Sequence, residues 1–387
     1  MQITIYSPDR HFLYDGSTPD AKGVGGGLTA RVRLAAALAR RGHQVSLICN
    51  CPGPSVHDGV PYFPLESVDR IATEALVVHS SGGAFDITPL LSIPIQAKTQ
   101  IVVSSGIGLP KGTLEFAPHA VYACSNFLRD EIARLCPFVP RKNIFVTHYG
   151  INRWNWTGLF DRARDPRRLI YSSHPSKGLE ASREVVRRLR RNDERFSLHC
   201  YGGNQLWGQA EETPPAEPGI FYHGLINQRD LAAEYKRSAF LMQLQTRPEP
   251  FGITVVEGMA AGCLVVASPV GAFTELIQHG QNGFLIEGDP ADPKTLDRAA
   301  ELIRTVSENP ELARKIRRQA FTTPFDWDTI AAVWEAHLGW LIDRDGSRNL
   351  EPPWAHCAEC GAASLALADG YHCTCCGYFG RSCGAGW

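Results

Sequence analysis

The chain runs twice through an alternation of short apolar runs and amphipathic stretches, and this alternation restricts the fold more than any single residue does. The strand candidates of the first series are ITIYS (3–7), QVSLI (44–48), ALVVH (75–79), QIVVSS (100–105), AVYAC (120–124) and NIFVTH (143–148). After the first of them, residues 28–41 carry Leu34, Leu38 and alanines at helical spacing, and Gly42 ends the pattern. A second series opens at RLIYSS (168–173) and continues through SLHCYG (197–202), GIFYHG (219–224), AFLMQLQ (239–245) and CLVVAS (263–268). Helical stretches at 179–191, 230–237, 254–261 and 272–279 intervene. Strands that alternate with helices predict parallel sheets with crossover helices. Residues 155–168, polar and irregular, are the expected linker between the two series. Helical patterns follow at 293–307, 310–319 and 327–343.

At 387 residues the chain is too long for one ordinary core. Hydrophobic content of 44% with 20% charged residues fits a globular protein, and a formal net charge of −1 gives no general attraction to polyanions. The first residues, MQITIYSPDR, lack the basic-then-apolar pattern of a secretory signal, and no run of about 18 apolar residues occurs. No transmembrane segment and a cytoplasmic location are therefore expected.

The chemistry concentrates in RPEPFGITVVEGMAAGCLVVAS (247–268). Residues 248–252 form a turn at the carboxyl end of a strand candidate, the edge where open parallel sheets bind ligands. The helix that opens near Ile253 and Thr254 directs free backbone N–H groups and the positive end of its dipole towards that edge, which suits a diphosphate. Glu249 lies in the turn and Glu257 within the helix, so both carboxylates can serve one ligand. Each suits vicinal hydroxyls such as those of a ribose or a hexose.

With Phe251 and Gly252 between the glutamates, and Ala260, Gly262, Gly271, Glu275, Gly280, Asn282 and Gly283 downstream, this region resembles the large retaining group of GT-B-fold glycosyltransferases. That group includes bacterial mannosyl- and glucosyltransferases, sucrose synthase and glycogen synthase, and shares a Glu-x7-Glu spacing. YSSHPSKGLE (171–180) resembles the group's first strand and loop of the second domain, and Lys177 matches its phosphate-binding lysine. Gly26 and Gly27 ahead of 34–45 resemble the group's N-terminal glycine loop. The resemblance covers about residues 1–343.

It implies an α/β GT-B architecture, two Rossmann-like, doubly wound domains facing across a cleft, to which the cysteine spacing of the tail adds a small C-terminal metal ribbon. The expected divisions are an acceptor-side domain at 1–155, a nucleotide-sugar-binding domain at 165–326 and a helix at 327–345 crossing back to the first domain. A cysteine-rich segment follows at 352–387. The implied reaction moves a hexosyl or pentosyl group from a nucleotide-diphosphate sugar to an acceptor hydroxyl with retention of configuration and without a catalytic metal. Lys177, Glu249 and His79 are the expected catalytic residues. Gly26, Gly27, Ser173, Lys177, Glu249, Phe251, Gly252, Ile253, Thr254 and Glu257 are the expected donor ligands, with Glu257 on the ribose and Glu249 on the transferred sugar. Two departures stand out. Tyr171 and Ser172 occupy positions where many relatives have an arginine. The 102–108 segment has serines where many relatives have a histidine, leaving His79 or His174 to take that place. An epimerase or phosphorylase on the same architecture, or a binding module with a relict catalytic fold, is the rival reading.

Twelve cysteines divide into six scattered thiols, expected as buried small hydrophobes, and six within the last 31 residues. Cys357, Cys360, Cys373 and Cys376 form C-x2-C-x12-C-x2-C, the ribbon spacing of a four-thiolate structural zinc site, which iron also accepts. The ribbon raises the expectation of a macromolecular acceptor. Two further expectations are structural: the arginines of 183–191 form a solvated face, and Trp327, Trp334 and Trp340 pack in a core.

Overall fold

The computed structural model describes residues 1–387 except 157–163, 213, 321–324, 345–353, 358–362, 368–369, 374–378 and 382–387. The chain divides into two compact units: residues 1–17, 27–150 and 324–387 form the first, and residues 18–26 and 151–323 the second.

The sheet of the first unit contains β1 (Gln2–Tyr6), β2 (Gln44–Cys49), β3 (Ser55–His57), β4 (Val60–Pro64), β5 (Ile71–Ser80), β6 (Ile95–Ser104), β7 (Ala120–Ala123) and β8 (Ile144–Val146). Its order is β3-β4-β2-β1-β5-β6-β7-β8, parallel except for the β3–β4 pair. Helix α1 (Gly26–Arg40) follows β1, and its leucines and alanines are buried as the spacing predicts. Helix α2 (Asn126–Leu135) is capped by Ser125, whose hydroxyl accepts from Leu128 N. The β3–β4 hairpin and α2 lie outside the sequence expectations. The hairpin's signal was the Asp58-Gly59 pair, whose two positive φ values (51° and 76°) match the turn that joins twisted strands.

The second unit has β9 (Asp165–Ser173), β10 (Ser197–Gly202), β11 (Ile220–Gly224), β12 (Ser238–Gln243), β13 (Leu264–Ala267) and β14 (Phe284–Leu285), all parallel, in the order β11-β10-β9-β12-β13-β14. The strands β9 and β12 are neighbours although two others separate them in sequence, so the direction of winding reverses between them. Strand β9 begins at Asp165, inside the stretch expected as linker; residues 157–163 of that stretch lie outside the described residues. The helices are α3 (Leu179–Arg190), α4 (Gln228–Arg237), α5 (Ile253–Ala261), α6 (Pro293–Ser307) and α7 (Pro310–Ala320). The helix expected over 272–279 is only the single turn Phe273–Leu276. One core of Leu169, Val185, Leu198, Phe240, Met242, Val266, Leu296 and Ile303 joins the helices to the sheet.

Helix α8 (Trp327–Arg344) belongs to the first unit. Trp334 packs against Tyr122 with ring centroids 4.7 Å apart, and Trp340 meets Phe145 edge-on at 5.8 Å. A four-stranded antiparallel sheet follows: β15 (Trp354–His356), β16 (Ala363–Leu367), β17 (Gly370–Cys373) and β18 (Phe379–Arg381). On β17, His372 is buried against His148 and His337, with centroids 6.1 and 6.2 Å away. Among the described residues no helix is long and apolar enough to cross a membrane.

Candidate active site

In the second unit the loops after β9 and β12 meet where the winding reverses. Ser172 and Ser173 end β9 as buried residues. The His174 carbonyl accepts from Tyr171 Oη at 2.6 Å and from Lys177 N at 2.8 Å, which folds 174–177 into a tight turn. Gly178 starts α3 at φ +93°, and a Cβ there would collide with the Leu244 carbonyl. Only glycine lets the two loops approach so closely. Their side chains then join: Lys177 Nζ lies 2.8 Å from Glu249 Oε2, and Gln245 Nε2 donates to the same oxygen at 3.3 Å. Ala272 N donates to the Glu249 carbonyl at 2.9 Å and holds the turn from below.

Gly252, at φ +98°, takes the left-handed conformation that starts α5, and a Cβ there would meet the Phe273 ring at 2.8 Å. Phe251 is buried beneath the turn, while Ile253 and Thr254 are half-exposed at the helix start. The first N–H groups of a helix have no partner within it and attract an anion. Glu257, one turn further, is 4% exposed; Gln228 Nε2 donates to its Oε1 at 3.4 Å. Burial pushes its carboxyl up to about 8. The helix end, Lys177 and the two glutamates can therefore serve one ligand bearing both phosphate and hydroxyl groups.

In the first unit the corresponding reversal lies between β1 and β5. There Arg31 of α1 forms a fully buried ion pair with Asp9, at 2.7 Å from Oδ2, and donates to Ser7 Oγ and Ser81 Oγ at 2.8 Å each. Gly27 faces Ser105 and Ser81, which a Cβ would approach to 3.6 and 3.8 Å. Gly26 groups with the second unit, where a Cβ would come within 3.2 Å of Ile253. His79 is fully buried, with Nε2 3.0 Å from Ser105 Oγ and 3.3 Å from Tyr149 Oη. Desolvation, with the Arg31 charge second, holds its imidazole well below the ordinary range. His79 is thus a neutral hydrogen-bonding group behind Ser105 and Tyr149, the latter two only 2.6 Å apart.

Sequence reasoning did not single out Gln228, Gln245, Asp9, Arg31, Ser105 or Tyr149. Their roles come from contacts between loops distant in sequence, which no local spacing signals. Three arginines of α3 are engaged by acids, Arg183 and Arg187 by Glu217 and Glu180 and Arg188 by Glu184 and Asp297, while Arg190 donates to the carbonyls of Glu194 and Phe196. Of the four ribbon cysteines, Cys357 and Cys373 are buried, and Cys360 and Cys376 lie outside the described residues.

Residues 165–323 match the family model described as glycosyl transferases group 1. Glycogen synthase of Mycobacterium tuberculosis is 30% identical over 244 residues, covering 60% of this chain and 56% of that protein. The match thus spans little more than half the length of this curated relative. Among solved structures, sucrose-phosphate synthase from Thermosynechococcus elongatus superposes with a TM-score of 0.65 at 15% identity, covering 89% of this chain and all of the other. Anabaena Alr3699/HepE in complex with UDP and glucose gives 0.62 at 15% identity, covering 88% and 100%. The chain therefore has the α/β GT-B fold with two Rossmann-like sheets, and its residues 165–323 are similar to glycosyl transferases group 1.

Proposed function

We propose that this protein is a glycosyltransferase that moves a sugar from a nucleotide-diphosphate sugar to an acceptor hydroxyl with retention of configuration. The observation that carries this reading is the Lys177–Glu249 pair at the reversal between β9 and β12, beside the start of α5 and with Glu257 behind it. Lys177 and the helix-end N–H groups would stabilise the charge on the departing diphosphate. Glu249 would hold hydroxyls of the transferred sugar, and Glu257, protonated near neutral pH, would both donate to and accept from the ribose hydroxyls. In the first unit Ser105, backed by His79 and Tyr149, is a hydroxyl-binding group at the edge assigned to the acceptor.

The cysteines Cys357, Cys360, Cys373 and Cys376 would hold zinc, with iron the second choice. The strand pairing favours this: His356 opposes Ala363, and the next residue, Ser364, opposes Cys373. Cys357 and Cys373 therefore flank the same end of β16. The role is structural, since four thiolates leave no open coordination position. Buried thiols at Cys49, Cys51, Cys124, Cys136, Cys200 and Cys263 suit a cytoplasmic setting.

The test is a panel of nucleoside diphosphates and nucleotide sugars, followed by binding, donor hydrolysis and product anomeric configuration by NMR. If no nucleotide sugar binds or is hydrolysed, and Glu257→Ala changes nothing, the reading fails. Metal analysis of the purified protein tests the ribbon, with one zinc per chain expected and its loss in Cys373→Ser.

A further inference from the structure

Arg247 stands two residues before Glu249, exposed, and no carboxylate among the described residues forms an ion pair with it. Its guanidinium carbon lies 5.0 Å from the centroid of the Trp207 ring. Trp207 ends the short turn after β10 and lies nearly parallel to His174, with centroids 3.6 Å apart and planes 11° from each other. His174 in turn is fixed at both ring nitrogens, by Ser176 Oγ at 2.9 Å and Gln209 Oε1 at 3.2 Å. One stack therefore ties the loops after β9, β10 and β12, and it places a guanidinium at the rim of the loop that carries Lys177. The charges of both Lys177 and Arg247 act on His174 in the same direction, lowering its imidazole after desolvation and against the Gln209 hydrogen bond.

The balance of charge gives this position a purpose. Lys177 is neutralised by Glu249 at 2.8 Å, while a diphosphate brings more than one negative charge. The start of α5 supplies only a fraction of a positive charge. Arg247 supplies a whole one, in a planar fork that matches two phosphoryl oxygens at once. A cation resting on an aromatic face at an exposed site is held weakly, enough to bias its rotamer and too little to hold it against an anion.

We propose that Arg247 is a binding residue for the diphosphate of the donor, and that Trp207, stacked on His174, is the positioning residue that keeps its guanidinium at the phosphate loop. This rests on the nucleotide-sugar reading above. The test titrates the full chain and its Arg247→Ala, Arg247→Lys, Trp207→Ala and Trp207→Phe variants with UDP, ADP and GDP, their monophosphates and inorganic pyrophosphate. Affinity for the preferred diphosphate is expected to fall about 10-fold or more in Arg247→Ala. The matching monophosphate should weaken by less, and lysine should restore only part of the loss. Trp207→Ala should raise the donor KM with a smaller change in kcat, and Trp207→Phe should restore it. Equal diphosphate affinity in wild type and Arg247→Ala overturns the inference and leaves the transferase reading intact. Weaker pyrophosphate binding with unchanged nucleoside-diphosphate affinity assigns Arg247 to another anion and overturns it too. A wild type that binds no nucleoside diphosphate defeats both.

Discussion

Lys177 Nζ lies 2.8 Å from Glu249 Oε2 across 72 residues of sequence, and the pair exists because β9 and β12 are neighbours in the sheet. Each partner restrains the other. Replacing Glu249 by Gln keeps the shape and releases the lysine charge. Nucleoside-diphosphate affinity is expected to rise several-fold while sugar transfer falls about 100-fold or more. Calorimetry alongside turnover separates the two effects; a parallel loss of both would assign Glu249 a purely architectural role.

Glu257 predicts a dependence of stability on pH. Its folded carboxyl is raised to about 8 by burial, so the folded state holds the proton more tightly than the unfolded chain. Its contribution is present in full below the ordinary carboxylate range and is lost as pH rises towards about 8. Glu257→Gln, neutral at every pH, should flatten that decline. Thermal unfolding of both proteins at intervals from pH 5 to 9 checks it, and identical profiles would contradict an abnormal Glu257.

Gly178 is expected to tolerate no side chain. Alanine would combine a left-handed backbone with a collision against the Leu244 carbonyl, costing about 3 kcal/mol or more. The loop carrying Lys177 would move, so nucleotide affinity and urea stability should fall together. A variant of wild-type stability with normal binding would show that the loop yields freely.

The Asp9–Arg31 pair lies in the first unit with both side chains at 1% exposure or less. Asp9→Asn leaves a buried guanidinium without its counter-charge, at about 3–5 kcal/mol. Urea unfolding should register that loss. A cost under about 1 kcal/mol would mean that Ser7, Ser81 and Tyr14 satisfy Arg31 without Asp9.

Much of this architecture is legible in the sequence, because strand and helix periodicities are local and each glycine turn announces itself. The core strands, α1, the helix bearing Glu257, and the Lys177-Gly178 and Glu249-to-Glu257 segments all follow from residues close together in the chain. Arg164 illustrates what does not: its guanidinium donates to the carbonyls of Tyr235 and Ser238, contacts set by packing rather than spacing.

By itself, then, the sequence determined two doubly wound series, the turn-and-helix that carries the glutamates, and the cysteine spacing of the tail. Only the tertiary structure decided that Lys177 spends its charge on Glu249, that His79 is neutral and sealed behind Ser105, and that Arg247 rests on Trp207. Strand order, not distance along the chain, selects which loops share an edge. Burial then sets the charge each side chain carries there.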